Sequence, residues 1–265
     1  MAFNPNELVL EKIRAVEEFD IATNELVGRY TQIESPTLAT TATGTDVVDS
    51  MGSPIMTFYN AQSGTFGFTN SLFSLDLAAS QFASEKKVAS DTDKITMPVS
   101  EIVQISTDNK IVLKYKPVGT TGAEVKYVRV INANNTFGET YEISATAAVG
   151  KFTLDVATKT ITLPAGVTGR AFVNYNKETS TAVKVTKNTD GVPEVRSLLI
   201  HAIFHEVCNK NIVYAGAIWC PRAQIDPTNV SLDLTSEGKH AASYVLQKEY
   251  CGEDGKLFEI MVSED

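Results

Sequence analysis

"EVRSLLIHAIFHEV", residues 194–207, decides between two different molecules. Wound as a helix, it sets His201, His205 and the following Cys208 on one face, a spacing that presents ligands to zinc. Extended as a strand, it divides into two alternating sets. One holds Val195, Ser197, Leu199, His201, Ile203, His205 and Val207; the other holds Arg196, Leu198, Ile200, Ala202, Phe204 and Glu206. The strand reading wins on local chemistry. The next segment, "IVYAGAIWC" (212–220), is β-branched, aromatic and interrupted by Gly216, and the polar break "CNKN" between them makes a hairpin with its turn at Asn209 to Asn211. On a strand, His201 and His205 share a face but stand about 13 Å apart at roughly 3.3 Å per residue, so one metal ion cannot bridge them.

Other catalytic signatures are absent. Glu206 follows the second histidine where a zinc-protease helix would need a different order, and no dinucleotide-binding, phosphate-loop or nucleophile-elbow pattern occurs. "MGSPIM" (51–56) reads as a turn, and "NAQSGTFGFTN" (60–70) as a glycine-permitted bulge or a loop packed on a sheet. The chain is therefore expected not to be an enzyme, and no cofactor, metal or catalytic residue is assigned.

Composition narrows the class further. The 265 residues are 43% hydrophobic, enough for a substantial core. The longest apolar runs fall far short of the roughly 20 residues of a membrane helix, and "MAFNPNELVLEKIR" lacks a signal-peptide apolar run, so a soluble protein made in a cytoplasm is expected. Three cysteines without a C-x-x-C pair read as free thiols. Of the formal charge of −9, residues 1–50 contribute −6, residues 224–265 contribute −6 and the middle contributes +3. An acidic chain lacks the electrostatic footprint for gripping nucleic acid, whereas a weakly repulsive surface suits a passage for it.

Period-two patterning runs through most of the chain. Between 94 and 187, "KITMPVSEIVQI", "KIVLKYKPV", "EVKYVRVI", "ETYEISA", "KFTLDVATKTITLPAG" and "GRAFVNYN" read as short strands separated by turns, an inserted or elaborated β module that could be Ig-like. The flanks, 1–93 and 188–265, read as two parts of one further domain. "LVLEKIRAVEEFDIATNELVGRY" is expected to be a hairpin turning at "DIATNE". A single helix is expected over 71–87, capped by Ser71, with Leu72, Leu75, Ala79 and Phe82 as its apolar stripe and lysines in its last turn. "NVSLDLTSEGKHAASYVLQKEY" alternates, turns near Gly238 and returns, and a last strand follows an Asp-Gly turn at 254 and 255, giving a C-terminal meander.

The run "GSPIMTFYNAQSGTFGFTNSLFSLDLAASQFASEKK" and the end "IVYAGAIWCPRAQIDPTNVSLDLTSEGKHAASYVLQKEYCGEDGKLFEIMV", with its Pro-Arg-Ala kink after a strand, together resemble the tail tube proteins (major tail proteins) of tailed bacteriophages. The likeness is one of layout over the two flanks and rests on no invariant motif. It implies a mainly β fold: a β-sandwich or barrel flanked by one helix, with the middle module added. It also implies a structural virion protein, assembled in the bacterial host cytoplasm. Six copies would join into a ring, and rings would stack into a tail tube alongside other tail proteins, with phage DNA passing through unbound. Strands apolar on one face and polar on the other would then put Ser231, Asp233, Thr235, Gln247 and Glu249 towards the lumen. Two rival readings rank below it: a capsid decoration or adhesion protein whose working part is an Ig-like middle module, and an enzyme using His201, His205 and Cys208, which stoichiometric zinc in the purified protein would favour.

Overall fold

The computed structural model describes residues 6–207, 209, 211–230, 232, 234, 238–249 and 255–264. In chain order the strands are β1 (Leu8–Asp20), β2 (Leu26–Tyr30), β3 (Ile33–Thr41), β4 (Gly44–Val48), β5 (Pro54–Tyr59) and β6 (Ser63–Asn70), followed by helix α1 (Leu75–Phe82). Then come β7 (Lys87–Val88), β8 (Ile95–Gln104), β9 (Lys110–Val112), β10 (Tyr127–Ile131), β11 (Phe137–Ile143), β12 (Lys151–Asp155), β13 (Thr160–Thr162), β14 (Arg170–Thr179) and β15 (Val183–Lys184). The chain closes with β16 (Val195–Glu206), β17 (Val213–Ile225), β18 (His240–Leu246) and β19 (Glu259–Ser263). The protein is mainly β, with one α-helix among the described residues, and it divides into two compact units: 1–86 with 185–265, and 87–184.

The first unit is a sheet in the order β2-β1-β16-β17-β18-β6-β3, with β19 also paired to β17. It curls until β3 approaches β1, a nearly closed barrel. The alternation of residues 194–207 is realised: Leu198, Ile200 and Ala202 point into the barrel and are buried, while Leu199, His201 and Ile203 face outwards. Val16, Tyr30, Phe66, Phe68, Tyr244 and Leu246 complete the interior with Leu77 from α1. The expected N-terminal hairpin is present, its turn held by the Asp20 carboxylate, which accepts from the backbone N–H of Ala22 (2.9 Å) and Thr23 (3.0 Å).

Four local expectations are corrected. Strand β17 does not stop at Pro221: it runs on to Ile225, because Pro221 and Arg222 sit in a bulge opposite Ser197, where a missing N–H costs no ladder bond. Residues 63–70 form neither loop nor bulge but a strand between β18 and β3; Gly64 sits under the Leu246 side chain, where a Cβ would stand 3.0 Å from Leu246 Cδ1. The bulge lies across the ladder in β3, at Ser35 (φ 47°) and Pro36.

Helix α1 covers only 75–82 and is capped by Ser74, whose hydroxyl accepts from the Leu77 N–H at 3.3 Å. Starting four residues later rotates the buried face to Leu77, Ala78, Ala79 and Gln81, leaving Leu72 61% exposed and no lysine in the last turn. The C-terminal third meanders only from β16 through β17 to β18, which pair antiparallel in succession; the last strand, β19, returns to β17 instead of following β18.

The second unit is a sheet in the order β8-β14-β10-β11-β12-β13-β9, antiparallel except for the β11–β12 pair, with β7 and β15 forming a separate two-stranded ribbon. Its core is its own: Ile111, Leu113, Val125, Val128, Phe152, Ile161, Ala171 and Val173 are all at most 1% exposed. Ala171, Val173 and Tyr175, alternate residues in the first half of β14, contribute to it, as the sequence pattern requires.

Candidate assembly surface

Strands β4 and β5 pair with each other and with no other strand among the described residues. Their turn is tightly specified. The Asp49 Oδ1 accepts from the N–H of Met51 (2.8 Å) and Ser53 (2.9 Å), and Gly52 takes the left-handed φ of 84° that the turn needs. Thr57 Oγ1 donates to Asp46 Oδ1 across the ladder at 2.6 Å. Yet the hairpin has no core. All eleven of its strand residues are exposed, among them Val47, Val48, Ile55, Met56, Phe58 and Tyr59, the last at 74%. Val47, Met56 and Phe58 fall on one face of the ribbon and Ile55 and Tyr59 on the other, and a two-stranded hairpin alone in water with apolar side chains exposed on both faces is marginal. The turn at 51–56 was legible in the sequence; that its arms would find no cover was not.

The barrel also leaves two borders open. Among the described residues β2 pairs only with β1, and β3 only with β6. The bulge at Ser35 and Pro36 blunts the first half of β3, but Thr37 to Thr41 run flat and largely exposed, and Leu26 on β2 is 54% exposed. Open borders of this kind are templates for another strand.

The two histidines of the opening segment lie on the barrel's outer face, each against a glutamate of β1. His201 Nε2 is 3.1 Å from Glu17 Oε2, and His205 Nε2 is 2.6 Å from Glu11 Oε2. Arg29 Nε also reaches Glu17 Oε1, at 3.0 Å, and Lys12 Nζ reaches Glu11 Oε1 at 3.3 Å. The His205 hydrogen bond, with Lys12 beside it, holds the Glu11 carboxyl below the usual carboxylate range. No cluster of three metal-ligating side chains occurs among the described residues.

Of the sequence-predicted lumen residues, Ser231, Asp233 and Thr235 lie outside the described residues. Gln247 and Glu249 follow the end of β18 and are half-buried. Gln247 extends that strand's pairing by donating its N–H to Arg222 O (2.9 Å), and its amide donates to Gln224 Oε1 (2.8 Å). The Glu249 N–H donates to Lys256 O at 3.1 Å.

Sequence reading missed the barrel's buried polar knot. Glu18 is fully buried and accepts from three hydroxyls: Tyr244 at 2.5 Å, Tyr30 at 2.7 Å and Ser80 at 2.9 Å. Burial and the adjacent carboxylate push both tyrosines far above the ordinary phenol pKa, so they remain donors. Beside it, His240 Nε2 donates to Gln81 Oε1 at 2.7 Å and Gln81 donates to Ala241 O at 2.7 Å, tying α1 to β18. Burial lowers the His240 pKa, which keeps its ring neutral. No protein-family model matches the chain, and no curated protein matches it either.

Proposed function

We propose that this chain is a structural virion protein that assembles with itself: six copies join barrel borders into a ring, and rings stack into a tail tube through which phage DNA passes. The observation that carries the reading is the β4–β5 hairpin, an ordered arm that exposes Val47, Val48, Met56, Phe58 and Tyr59 and has no core of its own. A second copy supplies the cover it lacks. The open borders at β2 and β3 supply the lateral contact, strand against strand. Charge favours an unbound passage. Residues 87–184 carry 12 basic and 9 acidic side chains, so the remaining 11 basic and 23 acidic side chains give the barrel unit −12, which repels phosphate. On this reading the partners are further copies of the chain, the other tail proteins and DNA in transit, and the protein resides in the virion tail after assembly in the host cytoplasm.

Negative-stain microscopy and sedimentation of the purified protein test this. The expected result is stacked rings with a central hole, lost on replacing Met56, Phe58 and Tyr59 together by serine, with the circular dichroism melt unchanged because no buried side chain is altered. A parent protein that stays monomeric at high concentration would sink the proposal. That outcome would favour the capsid decoration or adhesion reading, which the independent core of residues 87–184 also supports.

A further inference from the structure

Two grooves on the second unit, of 450 Å³ and 540 Å³, meet at one aromatic ring, that of Tyr127. This ring is 43% exposed on the outer face of β10, directly across the ladder from Glu142 of β11. On its other side Asn174 and Asn176 project from one face of β14, two residues and so about 7 Å apart. The far wall is the loop 118–124. It is fixed to β14 by the Val118 N–H bond to Asn176 O (2.9 Å) and closed on itself by the Ala123 N–H bond to Thr120 O (2.8 Å) and the Gly122 N–H bond to Glu124 Oε2 (2.9 Å). Thr140 and Lys126 complete the second groove. Among the described residues nothing hydrogen-bonds the Tyr127 hydroxyl, the Asn174 and Asn176 amides or the Lys126 ammonium, although Glu142 is held by Lys151 at 2.7 Å.

We infer that this double groove binds a neutral hexopyranose chain, with one sugar ring stacked on Tyr127. A pyranose has an apolar C–H face and a rim of hydroxyls that donate and accept. The groove offers an aromatic face with amides on one flank, which donate and accept, and on the other a threonine hydroxyl, which does both, and the Glu142 carboxylate, which accepts. Its extension to either side of Tyr127 fits a chain of sugars rather than a single one. A protein partner would want several large apolar side chains, and Tyr127 is the one exposed large apolar residue in the two linings. Nucleic acid would want a basic track, and the linings hold Lys126 against Glu124 and Glu142. Glycan binding would give the second unit a task separate from assembly, that of holding a cell-surface or capsid-surface polysaccharide.

The test uses the full chain titrated calorimetrically, and by saturation-transfer NMR, with cellohexaose, chitohexaose, mannohexaose and maltohexaose. At least one should bind, with saturation transferred from aromatic protons. Tyr127→Ala should weaken it about tenfold or more, equivalent to about 1.4 kcal/mol. Tyr127→Phe should retain most of the affinity, and Phe137→Ala, an exposed aromatic outside both grooves, should leave it unchanged. Binding of none of the four at millimolar concentration, or equal binding by the parent and Tyr127→Ala, overturns the inference. Ring formation is scored by microscopy in the same samples, so the glycan result stands or falls separately from self-assembly.

Discussion

The barrel unit contains two hairpins of opposite fate. In β1–β2 the inward side chains Val16, Glu18 and Tyr30 are buried, and the second strand docks against a sheet that continues through β16. In β4–β5 the turn is as well formed, but the apolar side chains fall on both faces and none is covered. Burial is decided by what lies across from a strand and not by the strand's own hydrophobicity. A hairpin with a neighbour in its own chain becomes core; one without a neighbour stays exposed. The second unit sharpens the contrast, since its apolar residues close on themselves in an independent core. Stability therefore resides in the interiors of the two units, to which the β4–β5 arm adds no buried side chain.

Substitutions can break that division. The largest effect on folding is expected from Phe152→Ala, which empties a fully buried ring site in the second unit and should cost about 3–5 kcal/mol. Scanning calorimetry should show one of two transitions fall while the barrel's stays in place. A single transition that moves as a whole would refute the independence of the two cores.

Next in size is Glu18→Gln. The amide keeps one acceptor oxygen but points a donor at a site where hydroxyls already donate, so about 1–3 kcal/mol should be lost from the barrel transition alone. Urea denaturation followed by tyrosine fluorescence would check it, and an unchanged midpoint would mean the knot is slack.

The Cys220 thiol is buried in the barrel and its pKa is pushed up to about 12, so it should resist alkylation in native protein and react on unfolding. Barrel variants such as Glu18→Gln should hasten that reaction, and Phe152→Ala should not.

The smallest effect concerns Glu11. Its folded pKa lies below the ordinary 4.5 because His205 and Lys12 favour the carboxylate, so the stabilisation is present above that value and is lost as pH falls through the depressed folded pKa. Melting temperatures of the parent and His205→Gln should differ slightly near neutrality and converge in acid. A gap that persists once the Glu11 carboxylate is protonated would contradict the pairing.

Local alternation was enough to read the strands of the second unit, the N-terminal hairpin and the placement of His201 and His205 on one face of β16, because side-chain period is a property of the backbone itself. Glycine and proline misled where their role depends on a neighbour. Gly64 serves a close approach of Leu246, and Pro221 is tolerated because a bulge takes it out of the ladder. The stripe drawn over 71–87 failed because a helical face is fixed only when its cap is known, and Ser74, not Ser71, caps α1.

By itself the sequence determined the class: a mainly β protein, acidic at both ends. Only the tertiary structure decided which apolar strands are covered, which borders stay open, and that Glu18, Tyr30, Ser80 and Tyr244 meet from four separate elements. The physical reason is range. Period and propensity act over a few residues, whereas burial and polar satisfaction depend on partners far along the chain and, for the β4–β5 arm under the proposed assembly, on partners in another chain.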